Sequence, residues 1–219
     1  MRRKWIFFWI LVLSLVTLTR TTIFAASPAD RSARAEVRFL EGMMDHHQMA
    51  VDMANDCLKK AKTESVITLC KNIITAQSAE IKQMRDWLLA WYQIEYNPMP
   101  MSQMMSMMGK NQGMGMMGGM HMGGMMATPD MHDMMAQMPD DMPLMMGMAA
   151  GLSKLEGTEY EIAWVEAMID HHSMAIGMSN QLLPHVQHPE LKQLAQRIIT
   201  DQTAEIQEME SLLTQFGDK

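Results

Sequence analysis

FLEGMMDHHQMAVDMANDCL, at residues 39–58, recurs without a gap as WVEAMIDHHSMAIGMSNQLL at residues 164–183. A second pair of segments has the same offset of 125 residues, ITAQSAEIKQM at 74–84 and ITDQTAEIQEM at 199–209. Within each segment the apolar residues recur every three or four positions, which is the period of an amphipathic helix. The sequence therefore predicts two copies of one unit, each built from two helices.

The helical patterns run over about 30–60, 64–95, 159–183 and 190–216. The Thr158-x-x-Glu161 pattern is typical of a capping box at the start of the third helix. Pro184 and Pro189 bracket a turn, and Pro98 follows the second helix. Since no segment has the pattern of a strand, we predict an all-α fold, a four-helix bundle made of two repeated αα-hairpins.

Charge and the N-terminus limit the classes of partner. The 219 residues carry a formal charge of −7, which argues against nucleic acid and anionic membrane surfaces. Residues 1–26 have the features of a secretory signal peptide: basic residues 2–4, an apolar run at 5–16 and small residues near the end. That run is shorter than the ~20 residues of a spanning helix. We expect an exported protein without stable membrane insertion, in an oxidising compartment.

The two hairpins, expected at 27–97 and 158–219, are separated by a Met- and Gly-rich segment at 98–157. Residues 98–148 hold 21 of the 31 methionines. One interpretation is a flexible linker; another is a hydrophobic site for partner proteins. We favour a flexible, multi-site segment that binds Cu(I) or Ag(I) weakly, because a linker selected only for flexibility uses Gly and Ser. Its candidate ligands are Met114, Met116, Met117, Met120, His121, Met122, Met125, Met126 and His132.

A helical projection separates the residues of the first motif into two faces. The face toward the core holds Phe39, Met43, His46, His47, Ala50, Met53, Ala54 and Cys57 within about 120°. Asp45, Gln48, Asp52 and Asp56 point the other way. On the second helix Gln77 and Glu80 occupy positions in the apolar stripe, where a carboxylate is costly unless a partner accompanies it.

An antiparallel hairpin places residues of its two helices at matching heights. If Cys57 faces Cys70, the paired numbers sum to 127. The same rule pairs Ala50 with Gln77, His47 with Glu80 and Met43 with Met84. The equivalent positions of the second hairpin, 125 residues further on, pair Ala175 with Gln202, His172 with Glu205 and Met168 with Met209.

Imidazole and thioether groups together favour a soft or borderline metal, above all Cu(I). The glutamates could be ligands or could fix the imidazole tautomers. The alternative is that the histidines only pack in the core and the methionines fill it. The candidate ligands are Met43, His46, His47, Met49, Met53, Glu80 and Met84 in the first unit, and Met168, His171, His172, Met174, Met178, Glu205 and Met209 in the second.

The cysteines and two further histidines leave alternatives open. Cys57 and Cys70 are candidates for a disulfide that closes the first hairpin, since the compartment is oxidising. A free thiol pair near the metal and two unreacted buried thiols are the other possibilities. His185 and His188 lie in the turn between the prolines, as solvated residues or as a surface metal site.

The paired DHHxMA helices, their QxxEI-containing partner helices and the signal peptide resemble a bacterial family catalogued as a domain of unknown function. The Met-rich segment is similar to one in a cyanobacterial periplasmic copper protein of that family. The resemblance covers roughly 30–219. It implies a ferritin-like four-helix bundle in the periplasm that binds copper, chiefly Cu(I) and also Ag(I), in copper resistance. His46, His47, Met49, His171, His172 and Met174 carry the match.

Three functions are compatible with these features. The leading hypothesis is a non-enzymatic copper-binding protein that sequesters Cu(I) or delivers it, with Cu(II) as a further ligand and a copper exporter or sensor as partner. The second is a bundle-type metallo-oxidase, although the Glu-x-x-His motifs of di-iron bundles are absent from the repeats. The third is a metal-independent module in which the Met-rich segment binds partner helices.

Overall fold

The structure, a computed structural model, describes residues 28–103, 106, 147 and 150–217. Four long helices form over Pro28–Lys60 (α1), Glu64–Tyr92 (α2), Gly157–Leu182 (α3) and Pro189–Gly217 (α4). Over the described ranges no strand occurs, and the predicted all-α bundle of two hairpins is confirmed. The predicted signal peptide and most of the Met-rich segment lie outside the described residues.

The two hairpins have the same antiparallel register. His47 of α1 faces Glu80 of α2, and His172 of α3 faces Glu205 of α4. These pairs agree with the heights predicted from the sequence. Every residue assigned to the core-facing side of α1 is buried, from Phe39 to Cys57. The amphipathic period of the sequence therefore places the histidines inside the bundle.

The chain after α2 turns back along α1. α2 ends at Tyr92, three residues earlier than predicted, because Gln93 adopts a left-handed conformation (φ 58°) that stops the helix. The Tyr96 hydroxyl then donates to the Asp45 carboxylate (2.5 Å), and the Met101 N–H donates to Asp52 (2.7 Å). Both aspartates point away from the core, as predicted, but residues 94–101 partly cover them.

The hairpins pack against each other through α1 and α3, which run antiparallel. The indole Nε1–H of Trp164 donates to the Met53 carbonyl (3.1 Å), and Met178 packs against Gly42 at the other end of the contact. Between these two contacts, His171 Nε2 lies 2.9 Å from the His46 carbonyl oxygen. Because 46 and 171 are equivalent positions of the repeat, a pseudo-twofold axis passes between them.

Two buried glutamates join the hairpins at their turns. Glu161 of α3 accepts hydrogen bonds from the backbone N–H groups of Lys62 and Thr63 (2.5 and 2.7 Å), at the start of α2. Glu36 of α1 accepts from the N–H groups of Gln187 and His188 (2.5 and 2.9 Å), at the start of α4. Each hairpin thus caps the turn of the other hairpin, and both carboxylates are at most 2% exposed.

This arrangement corrects the capping box predicted at Thr158-x-x-Glu161. α3 begins one residue before Thr158, and its N-cap residue Glu156 makes no side-chain cap hydrogen bond. The Glu161 side chain points across to the α1–α2 turn instead, where it also accepts from the Thr63 hydroxyl (2.6 Å). Sequence spacing alone predicts a local cap here because it does not distinguish a local acceptor from one used by another hairpin.

None of the four helices has a stretch apolar enough, over sufficient length, to span a bilayer; this holds for the residues that the structure describes.

Candidate metal centre

His46 and His171 meet where α1 crosses α3. Their ring centroids are 3.6 Å apart, the rings are tilted by 36°, and the side chains are 3% and 0% exposed. Each residue comes from the same position of its repeat. The motif therefore brings its two copies together at the centre of the bundle rather than at opposite ends.

His47 and His172 flank this pair, and each is paired with a glutamate. The Nε2 atoms of His47 and His172 lie 2.6 Å from the Oε2 atoms of Glu80 and Glu205, respectively. Both imidazoles are fully buried, whereas the glutamate side chains are 21% and 26% exposed. A carboxylate that accepts from Nε2–H leaves the lone pair on Nδ1, which is how metal-binding histidines are commonly oriented.

All four histidines present at least one ring nitrogen that is buried and has no hydrogen-bond partner among the described residues. These atoms are both ring nitrogens of His46 and the Nδ1 atoms of His47, His171 and His172. A buried polar atom left unpaired costs about 1–3 kcal/mol, so several together require an explanation. Five free nitrogen lone pairs or N–H groups around one crossing fit a site that binds a metal ion.

Burial also keeps the central imidazoles neutral. It lowers the pKa of His46 well below its ordinary value, and the neighbouring His47 and His172 lower it further. Burial likewise depresses the pKa of His171, with a further contribution from His46. A neutral imidazole has a lone pair to donate to a metal, whereas an imidazolium has none.

The eight methionines predicted as ligands lie in the two core clusters around the histidines. One cluster contains Met49, Met53, Met168 and Met209, with Met174 packed against it. The other contains Met43 and Met84, with Met178 packed against it. Among the described residues, no three His, Cys, Asp or Glu side chains group closely enough to hold a metal ion by themselves. A metal ion bound here would therefore be coordinated by thioether sulfur as well as imidazole nitrogen.

Two buried glutamines lie one turn from the glutamates. Gln77 and Gln202 are 3% and 4% exposed. Both amide atoms of Gln77 and the Oε1 atom of Gln202 find no hydrogen-bond partner in the described part of the chain. The sequence predicts Gln77 as a polar residue in an apolar stripe, and the structure buries both Gln77 and its repeat counterpart Gln202.

The remaining predicted residues fall into three groups. Cys57 and Cys70 are joined by a disulfide that links α1 to α2, with Cα atoms 6.4 Å apart. His188 donates through Nδ1 to the Glu36 carboxylate (2.7 Å) and stacks on Trp91, while His185 is exposed in the turn. The candidate weak ligands of the Met-rich segment, from Met114 to His132, lie outside the described residues.

Sequence reasoning missed the glutamate caps. Glu36 and Glu161 are also 125 residues apart, so extending the repeat three residues before Phe39 reveals them. Burial alone would raise the pKa of Glu36. Hydrogen bonds from the Tyr92 hydroxyl, the backbone N–H groups of His188 and Gln187, and the His188 side chain outweigh that effect and lower the pKa. Glu36 is therefore a buried anion held by several donors.

Residues 36–213 match the family described as "Domain of unknown function (DUF305)". The chain belongs to this family. A viral relative, uncharacterized protein L153 of Acanthamoeba polyphaga mimivirus, is 48% identical over 50 residues, which are 23% of this chain and 33% of the relative. The chain thus matches about a third of that relative's length.

Solved structures with the same fold include the protein CopM. CopM in its Cu(II)-bound form is 30% identical, with a TM-score of 0.55 over 83% of this chain and 97% of CopM. A DUF305 fragment from Deinococcus radiodurans is 26% identical, with a TM-score of 0.56 over 83% and 96%. CopM has also been solved with Cu(I) and with Ag bound, each 25% identical to this chain. The structural neighbours of this chain therefore include a copper-bound protein.

Proposed function

We propose that this protein binds copper, preferentially as Cu(I), at the crossing of α1 and α3, and that it sequesters or delivers the ion. The observation that carries the proposal is the set of buried, unpaired ring nitrogens on His46, His47, His171 and His172 inside a methionine-rich core. Similarity to CopM, which has been solved with Cu(I), Cu(II) and Ag, supports the choice of ion.

The arrangement suits binding better than catalysis on a bound substrate. The central imidazoles are closed off from solvent, and Glu80 and Glu205 are used by His47 and His172. Thioether and neutral imidazole ligands favour Cu(I) and its mimic Ag(I) over harder ions. Export to the periplasm, a role in copper resistance, and exchange with an exporter or sensor protein belong to the proposal.

The test is a titration of the purified protein with Cu(I) against a competing chromogenic chelator. We expect tight binding in the wild type and loss of the tight class when His46, His47, His171 and His172 are all changed to leucine. Leucine preserves apolar packing, and circular dichroism checks that the variant remains helical. Wild-type binding no tighter than that of a methionine-free helical bundle would reject the proposal.

A matched control distinguishes the centre from histidines in general. His185 is exposed in the α3–α4 turn, so His185→Leu should bind Cu(I) as the wild type does. The Met-rich segment is tested separately by replacing its ligand candidates with serine. That change should remove only the weakly bound Cu(I). If this variant and the histidine variant lose the same class of bound Cu(I), the bundle and the Met-rich segment do not form two distinct classes of site.

A further inference from the structure

The described ends of the Met-rich segment are attached to one face of α1. On the outgoing side the Met101 N–H donates to Asp52 (2.7 Å). On the returning side the Lys60 ammonium donates to the carbonyl groups of Leu152 and Ser153 (3.2 and 3.3 Å). Asp52 and Lys60 are eight residues apart, or about 12 Å along a helix. The segment therefore leaves and rejoins the bundle beside the first hairpin.

A cavity of about 370 Å³ lies between these two attachment points. Its lining includes Met53, Met101, Ser102 and Tyr160. Met53 is 2% exposed and belongs to the core cluster, whereas Met101 is partly exposed and packs against that cluster. The cavity thus has a thioether of the core on its inner side and a thioether of the connecting segment on its outer side.

Ligand-type side chains continue inward from this cavity. Met53, Met49 and His46 are spaced by four and three residues on α1, so they lie one above another on one helix face. All three are at most 3% exposed. Thioethers and imidazoles at successive turns offer a soft cation a series of neighbouring ligands between the cavity and the central histidines.

Sulfur rather than net charge would hold a cation in this cavity. The Asp52 carboxylate already accepts hydrogen bonds from Gln48 and the Met101 N–H. Asp56 lies 3.9 and 3.7 Å from the ammonium groups of Lys59 and Lys60, and the Tyr160 hydroxyl is 3.5 Å away from it. Asp52 is therefore engaged by hydrogen bonds and Asp56 by two ammonium groups, which leaves the thioethers as the groups available to a soft ion.

The second hairpin has no equivalent route in the described residues. Gly177 and Gln181 stand at the repeat positions of Asp52 and Asp56. Met178, the counterpart of Met53, packs against Gly42 at the α1–α3 contact. Another surface cavity, of about 490 Å³ between α2 and α4, is lined by Glu80, Trp87 and Arg197 among others and by no sulfur atom.

We propose that the cavity under Met101 is the route by which a soft monovalent cation exchanges between the surface of the bundle and the buried centre. Exchange then takes place through the half of the bundle that contains Met53, although the centre itself is nearly symmetric. This inference rests on the proposed function, and it concerns the rate of exchange and not the amount of metal bound.

The first experiment compares Met101→Leu with Met99→Leu in the full chain. Met99 also packs against the core cluster, but it does not line the cavity. Each protein is loaded with Cu(I), and release to excess chromogenic chelator is followed by stopped flow. We expect Met101→Leu to release Cu(I) about tenfold more slowly, a barrier higher by about 1.4 kcal/mol. Equilibrium stoichiometry should stay unchanged, and Met99→Leu should match the wild type.

A second pair of variants blocks the space itself. Ser102→Trp places an indole at the lining of the cavity, whereas Ser211→Trp places one on the exposed face of α4. Slower release in Ser102→Trp alone supports the route. Equal release rates in both, or equal slowing in Met101→Leu and Met99→Leu, would overturn it. A wild type that binds no Cu(I) in the titration shows instead that the proposed function is wrong.

Discussion

The two hairpins agree at the centre of the bundle and differ on its outside. His47 and His172 have the same 2.6 Å contact with Glu80 and Glu205. On the outside, Asp45 is held by Tyr96, whereas Asp170, its repeat counterpart, is exposed. The contacts around the histidines are repeated in both copies, whereas Asp45 and Asp52 of the first copy also hold the chain that follows α2. The contacts that both copies share thus mark the candidate site, and the additional contacts of the first copy mark the path of the chain after α2.

The largest expected effect concerns the glutamate caps, which both hairpins share. Glu36→Ala or Glu161→Ala leaves two backbone N–H groups at a turn without their acceptor, at about 1–3 kcal/mol each. We expect the free energy of unfolding in urea to fall by about 3 kcal/mol in either variant. Glu190→Ala, at an exposed position of α4, should stay within about 0.5 kcal/mol. If both cap variants unfold at the same urea concentration as the wild type, the caps do not stabilise the bundle.

The pH dependence of the Glu36 cap follows from the direction of its pKa. The folded state lowers that pKa below the ordinary value of 4.5, so the unfolded state binds more protons. The stabilisation is therefore present above pH 4.5 and is lost as the pH falls through the folded pKa. The difference in unfolding free energy between wild type and Glu36→Gln should shrink in acid. A difference that stays constant from neutral pH into acid would contradict an ionised Glu36.

The disulfide is the clearest covalent difference between the hairpins. Cys57 and Cys70 close a loop with a sequence separation of 13, for which the chain-entropy model gives about 3 kcal/mol. The double variant Cys57→Ala, Cys70→Ala should therefore unfold at lower urea, and reductant should affect only the wild type. Cu(I) stoichiometry should be equal in both proteins. The second hairpin repeats the histidine pair without any cysteine, so cysteines are not required as ligands. Fewer tight sites in the double variant would indicate that the sulfur atoms take part in binding.

The smallest effect compares the two central histidines, which differ in one hydrogen bond. His171 Nε2 interacts with the His46 carbonyl, whereas neither ring nitrogen of His46 has a partner in the described structure. His171→Leu should lower the free energy of unfolding by about 1 kcal/mol, while His46→Leu should leave it unchanged or raise it. Thermal unfolding without metal measures both. If the two variants are destabilised equally, the hydrogen bond of His171 does not make the two rings differ in their contribution to stability.

Periodicity and the internal repeat predicted most of the fold. The apolar stripe of α1 predicts that His46 and His47 are buried, and they are. The register that pairs Cys57 with Cys70 also predicts the contact of His47 with Glu80. These predictions work because a helix has a fixed period and an antiparallel hairpin a fixed register. They concern contacts within one hairpin.

Contacts between hairpins could not be predicted in the same way. The meeting of His46 with His171 depends on where α1 crosses α3, which the spacing within either helix does not determine. Glu161 illustrates the same difficulty, since its spacing from Thr158 suited a local cap while its actual donors are Lys62 and Thr63. The attachment of Met101 to Asp52 likewise required the path of the chain after α2.

The exchange of glutamate caps has a consequence for the ancestry of the fold. A turn completed by a carboxylate of the other hairpin is what two separate copies of one hairpin would show in a twofold symmetric dimer, where each contact occurs twice. The present chain has that symmetry about His46 and His171, with the copies joined in one polypeptide. Duplication and fusion of an obligate dimer accounts for both the 125-residue repeat and the caps. Either hairpin expressed alone should accordingly associate with a second copy of itself.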